Sequence, residues 1–201
     1  MLIKKIALFA VLATLGLGCG LNKQARQIKA LEDCTYKIVS ADQILVAGTD
    51  VKKLLADGNI NLASMPGVAL GMLRRDIPLN ARINLQITNP SQNAAAINNF
   101  EYKVLINSQQ LVEGVVNQLI SIEPGASVTV PVSLTSNIYP LMSDSKMLND
   151  ILGFLQGGAG GPERKGLVTI KIKPSIMVGS QLVKYPGFIT IDKEISSKIL
   201  L

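Results

Sequence analysis

The chain predicts a mainly β fold: an antiparallel sandwich of about seven strands with one or two short-to-medium helices. Three observations predict it. Aliphatic and polar residues alternate strictly in several runs, as where Ile83, Leu85 and Ile87 interleave with Arg82, Asn84, Gln86 and Thr88. Such period-two patterning puts one face in a core and the other in water. Most of these runs are separated by short turn signals rather than by helix-length crossovers, which implies antiparallel pairing. Apolar residues make up 48% of the chain while aromatics make up 4% and Trp is absent, so the interior is built from Ile, Leu and Val.

The N-terminus is organised differently. Lys4 and Lys5 precede an apolar run from Ile6 to Leu15, and Gly16-Leu17-Gly18-Cys19 follows. Charge, apolar stretch and small residues in that order make 1–18 a secretory signal. The run is short of the about 20 apolar residues that a membrane span needs. The cysteine directly after the small residues resembles the lipobox of bacterial lipoproteins, although Gly16 stands where that family usually has Leu. The resemblance implies that Cys19 is acylated and becomes the first mature residue. It places the chain in the bacterial cell envelope, anchored to a membrane by its lipid. Gly20 rather than Asp follows the cysteine, which by analogy with enteric sorting points to the outer membrane, facing the periplasm. Loss of Lys4 and Lys5 leaves 18 basic residues against 14 acidic ones. That mild, dispersed surplus suits weak attraction to anionic headgroups. It is no dense stripe interleaved with aromatics, so no nucleic-acid partner is expected.

Residues 19–34 read as the lipidated cysteine and a polar tether or short frayed helix, and 35–201 as one domain. Tyr36, Ile38, Ile44, Leu45 and Val46 suggest a first strand bent near Ser40-Ala41-Asp42. Asp50 can N-cap a short helix through Leu54 and Leu55 that Gly58 ends. Pro66 at a first helical position favours a short helix in the apolar stretch 65–73, despite Gly67 and Gly71. That stretch is expected to plug one end of the core rather than contact a membrane or ligand. After the Ile83–Ile87 strand, Asn89-Pro90-Ser91 breaks the ladder. Phe100, Tyr102, Val104 and Ile106 form the next strand, and Asn107-Ser108-Gln109 a hairpin turn. Leu111 to Ile122 pairs back, with Gly114 as a bulge. Glu123-Pro124-Gly125 is a turn. Val128, Val130, Val132 and Leu134 alternate again, and Pro131 puts that strand at an edge. A helical insertion spans about 137–156, capped by Ser136 or Asn137 and stopped by Gly157-Gly158. A Gly-rich loop covers 157–166. Val168, Ile170 and Ile172 form a strand that Pro174 ends, and one or two further strands run from Leu182 to Ile195.

The ordered set of alternating strand, Asn89-Pro90, the Phe100–Ile106 strand, a short turn, Gly114, Pro124-Gly125 and a valine-rich strand resembles the type 2 late embryogenesis abundant proteins, which carry the WHy domain. The resemblance implies a fibronectin- or immunoglobulin-like sandwich. It also implies a non-enzymatic, stress-protective or interaction role. Asn89 and Pro90 are the family-motif residues, and their role is structural: Pro90 removes a donor and the Asn89 side chain can bond nearby backbone.

Chemistry is excluded more readily than it is found. Histidine is absent, which removes Ser-His-Asp and Cys-His catalysis and His-containing metal sites. Two cysteines are too few for a thiolate site; a lipidated Cys19 leaves Cys34 as a small buried hydrophobe, a free thiol or an intermolecular bridge. Ser143 and Lys146 spell S-x-x-K but lack its companion motifs and read as polar surface. The Gly-rich loop follows a helix and precedes a strand, the reverse of a phosphate loop. Asp42, Asp50 and Asp57 lack the alternation of a calcium loop and read as turn and cap residues. No enzyme, cofactor or metal is expected. The alternative function is an envelope lipid-binding or adaptor protein, suggested by 65–73 and the Met-containing helix.

Overall fold

A computed structural model describes residues 18–51, 65–150, 165–178 and 180–196. Helix α1 (Gly18–Asp33) leads into β1 (Thr35–Val46) and the short β2 (Thr49–Asp50). Helix α2 (Pro66–Arg74) precedes β3 (Pro78–Thr88), β4 (Ala95–Ile97), β5 (Asn99–Ile106), β6 (Gln109–Val116), β7 (Ile120–Ile122) and β8 (Ser127–Asn137). Helix α3 (Tyr139–Ser143) follows, then β9 (Lys165–Val178), β10 (Gln181–Lys184) and β11 (Ile189–Ser196). Seven of these strands run eight residues or more.

All pairings are antiparallel and they form two main layers. One sheet has the order β2-β1-β3-β8; the other has β10-β9-β5-β6, with β11 also on β9. A small β4-β7 sheet closes one end. Alternation decides what enters the core. Ile83, Leu85, Ile87, Val130, Val132 and Leu134 from the first sheet meet Phe100, Tyr102, Val104, Ile170 and Ile172 from the second. The β-sandwich expected from the sequence is the fold observed.

Local chemistry explains most boundaries. In β1 the register slips between Ile38 and Ser40 and again between Asp42 and Leu45, where Gln43 takes φ 53°; this is the expected bend. Asn107 (φ 47°) and Ser108 (φ 70°) make a two-residue hairpin turn of the left-handed kind. Strand β8 is an edge, so the N–H that Pro131 lacks removes no ladder bond that the fold needs. Its edge is tied to the other sheet: the Tyr102 hydroxyl donates to the Ser133 carbonyl (2.9 Å) and the Ser136 hydroxyl to the Leu111 carbonyl (2.8 Å).

Several expectations need correction. Gly114 is not a bulge; it sits in register opposite Tyr102, and the irregularity falls between Val104 and Leu105. Glycine is required there because the Tyr102 ring occupies the space a Cβ would fill. The stretch 111–122 is two strands, and β7 leaves β6 to pair with β4. Pro174 does not end its strand. It pairs with Phe100 inside β9, at the point where the partner on the far side changes from β11 (Ile172↔Ile189) to β10 (Ser175↔Lys184). A missing N–H is tolerated at that junction.

The insertion expected at 137–156 is not one helix from its start. Strand β8 runs through Asn137, α3 holds five residues, and the chain bends at Asp144. The Asp144 carboxylate then accepts from Lys146 N (2.9 Å) and Met147 N (3.0 Å), starting a second helical stretch over 145–150. The rest of that insertion, the loop up to 164, and the helix placed after Asp50 lie outside the described residues.

Helix α1 is docked at its C-terminal end: Leu31 (1% exposed), Ala30 and Cys34 belong to the main core. The Cys34 thiol donates to the Ala30 carbonyl (3.2 Å) and is pushed up to about 11, chiefly by burial and then by Asp33. Cys34 is a free, buried thiol. At the opposite end, Met65 and Val68 pack with Val46, Ile77, Ile138 and Met142 in a second, smaller cluster. Gly71 admits the Asp76 carbonyl and the Ile77 side chain, which a Cβ would meet at 2.7–2.8 Å. Thus α2 does plug that end, while its outer side leaves Leu70, Met72 and Leu73 exposed.

Candidate functional site

Three places in the fold collect the residues singled out by the sequence. The first is Asn89, wholly buried at the end of β3. Its side-chain amide donates to the carbonyls of Asn93 (2.8 Å), Ile122 (2.9 Å) and Glu123 (3.4 Å). Its side-chain oxygen accepts from the Ser91 N–H (3.1 Å) and hydroxyl (2.8 Å). Its backbone N–H donates to Ala126 and its carbonyl accepts from Gly125. One side chain therefore ties β3 to β7 and to the Pro124-Gly125 turn, satisfying buried carbonyls that the short strands leave over. Pro90 follows, exposed. Both are framework residues, not a reaction centre.

The second is the N-terminal helix. Cys19 is the second residue of α1, so it stands at the end of that helix farther along the chain from the docked Leu31. The third is Ser143-Asp-Ser-Lys146. Ser143 ends α3 and donates to the Pro140 carbonyl (3.1 Å), whereas Lys146 lies in the next helical stretch beyond the bend. The two do not share a helix face. Asp42 is likewise held structurally, accepting from Asn84 (2.6 Å) and Ser40 (3.2 Å).

A fourth place was not anticipated. Because Phe100, Tyr102 and Val104 point inward, Glu101 and Lys103 point outward from β5. Register then sets Lys173 beside Glu101 and Lys171 beside Lys103 from β9, with Val115 and Glu113 opposite them from β6. Lys103 pairs with Glu113 (3.1 Å), and Lys184 reaches across from β10 to Glu101. The Phe188 ring has two ammonium groups near it, that of Lys173 at 5.5 Å and that of Lys103 at 5.9 Å from the ring centre. Met177 and Leu182, register partners on the β9–β10 hairpin, continue the surface two residues beyond Lys184 and are exposed.

The part of this face around Phe188 is basic. Among the described residues Lys171 and Lys173 enter no ion pair. The Glu101 carboxyl is held below its ordinary value by the Lys184 hydrogen bond, and further by the charges of Lys184, Lys173 and Lys103. Around Phe188 and Val115 four lysines thus face two carboxylates; farther along the same face the Thr169 hydroxyl donates to Asp192 and Lys165 pairs with Glu194. The surface is a shallow array of cations over apolar side chains. It suits an extended anionic partner better than a small molecule held in a cavity. Lysines on alternate positions of two strands were visible in the sequence, but their adjacency depends on register.

No family model matches the chain, and no curated protein does. Solved structures match in shape at low identity. A putative late embryogenesis abundant protein shares 14% identity, over 96% of this chain and 87% of that one, with a TM-score of 0.37. A protein from Arabidopsis thaliana shares 11%, over 61% and 70%, with a TM-score of 0.38. A protein from Archaeoglobus fulgidus shares 16%, over 59% and 85%, with a TM-score of 0.34.

Proposed function

We propose that this chain is a non-enzymatic β-sandwich of the type 2 late embryogenesis abundant kind, held to a membrane of the bacterial envelope by a lipid on Cys19, with a stress-protective or interaction role. The observation that carries the reading is the joint position of Cys19. It follows an apolar run ending in small residues, and it begins a helix whose other end is built into the sandwich core. A lipid there tethers a folded domain rather than a loose tail. The Asn89 node supports the family part of the reading: Asn-Pro at the end of an alternating strand pins the neighbouring turn, the use that the motif's order implies.

The lipid tether is tested by fractionating cells that express the full chain. The wild type stays with membranes through a high-salt wash and incorporates a fatty-acid label. Cys19→Ser removes both. Membrane retention of the Cys19→Ser chain under those conditions contradicts the tether.

A further inference from the structure

The geometry points to the outer face of the five-stranded sheet, from Lys103, Lys171 and Lys173 around Phe188 to the Met177–Leu182 pair, as a docking surface for an anionic bilayer. The inference rests on the tethering just proposed, which keeps the domain beside a membrane. It adds which side of the domain meets the lipid.

Thr35, the first residue of β1 and two after the end of α1, pairs with Thr88, so α1 enters at the Asn89 end of the sandwich. Asn99 pairs with Ser175 at that same end, and β9 runs on past it to Val178. The connector after β10 returns there too: the Tyr185 N–H donates to the Pro174 carbonyl (2.8 Å). The hairpin with Met177 and Leu182 therefore projects from the end at which the anchored helix joins. Leu70, Met72 and Leu73 lie at the other end, with the Val46 and Ile77 cluster.

Composition then selects the occupant. Exposed apolar residues flanked by lysines are what a headgroup region accommodates: Met177 and Leu182 enter the acyl boundary while Lys171, Lys173 and Lys184 meet phosphates. Phe188, backed by two ammonium groups, suits the interfacial depth at which aromatic rings collect. Helix α1 carries Lys23, Arg26 and Lys29 against Glu32 and Asp33, one positive charge in surplus that adds to the lysines of the sheet face.

The test uses the full chain, reconstituted after purification in detergent, with an environment-sensitive fluorophore on Leu182→Cys or on Leu73→Cys. Cys34 is buried with a raised pKa and stays unlabelled in the native protein; circular dichroism checks that each variant is folded. On vesicles of phosphatidylethanolamine and phosphatidylglycerol, the probe at 182 shifts to the blue and is shielded from an aqueous quencher. The probe at 73 does neither. Lys171→Glu with Lys173→Glu abolishes the shift at 182, and neutral phosphatidylcholine vesicles do not produce it. A water-like probe at 182 on protein that still sediments with vesicles in high salt overturns the docking surface and leaves the tether standing, as when a soluble acidic protein is the true occupant. An equal shift on neutral vesicles overturns the role of the lysines. Release in high salt with an unmodified Cys19 overturns the tether, and the probe at 182, read on freshly mixed anionic vesicles at low salt, then decides the surface by itself.

Discussion

Tyr102 lies across Gly114 on the neighbouring strand, so that a Cβ on Gly114 would stand 2.5 Å from the Tyr102 hydroxyl oxygen. That hydroxyl cannot swing away freely, because it donates to the Ser133 carbonyl at the edge of the opposite sheet. One contact therefore joins β6, β5 and β8. Gly114→Ala is expected to cost about 1–3 kcal/mol through overpacking. The penalty shrinks in a Tyr102→Phe background, where the oxygen is gone and the ring, released from the Ser133 carbonyl, can shift away from the new methyl group. Urea unfolding of the two single variants and the double variant reads that coupling.

Asn89 is the second framework test. Asn89→Ala takes its donor from the buried Ile122 carbonyl, while the Asn93 carbonyl keeps the Ser91 hydroxyl, and is expected to cost about 3 kcal/mol. Asn89→Asp keeps the shape but turns a donor into an acceptor facing carbonyls, and is expected to cost more. Thermal unfolding of both decides it; equal stability of Asn89→Ala and wild type removes Asn89 as the tie between β3 and β7.

The third test is titration. Burial lifts the Cys34 thiol from 9.0 to about 11. The folded protein thus favours the protonated thiol more than the unfolded chain does. Stability from this source is intact below pH 9 and is lost as pH rises from there through about 11. The Tyr36 hydroxyl, also raised by burial, acts in the same sense above its ordinary value of 10.0. Stability measured against pH should fall less steeply for Cys34→Ala over the thiol window. A thiol reagent at neutral pH should modify Cys34 only after unfolding.

A fourth contrast separates the two ends. Leu31→Ala is expected to cost about 2–5 kcal/mol, since its side chain is in the core. Leu73→Ser, 83% exposed, should change stability by no more than about 0.5 kcal/mol. Denaturant midpoints compare them directly.

What the sequence made legible is what local pattern encodes. The strands through Ile83–Ile87, Phe100–Val104 and Val128–Leu134 were readable because period two is visible without knowing the partner. Pro131 marked an edge and Asn107-Ser108 a turn for equally local reasons. Features that depend on a distant partner were not readable. Gly114 looked like a bulge because the ring that excludes its side chain belongs to another strand. Pro174 looked like a stop because the change of partner from β11 to β10 is a fact of topology. Helix α1 read as tether or frayed helix because few of its residues are apolar; only Ile28, Ala30 and Leu31 mark the docking turn. The break at Asp144 was hidden by an apolar stripe that continues past it. The lysine array around Phe188 joins residues far apart in the chain, so no spacing announced it.

Intact mass of the protein extracted from membranes reaches the whole account in one step. A folded sandwich hung from a bilayer requires a mature chain that starts at Cys19 and carries added acyl mass. A chain that retains residues 1–18, or one processed to begin at an unacylated Cys19 or elsewhere, contradicts it.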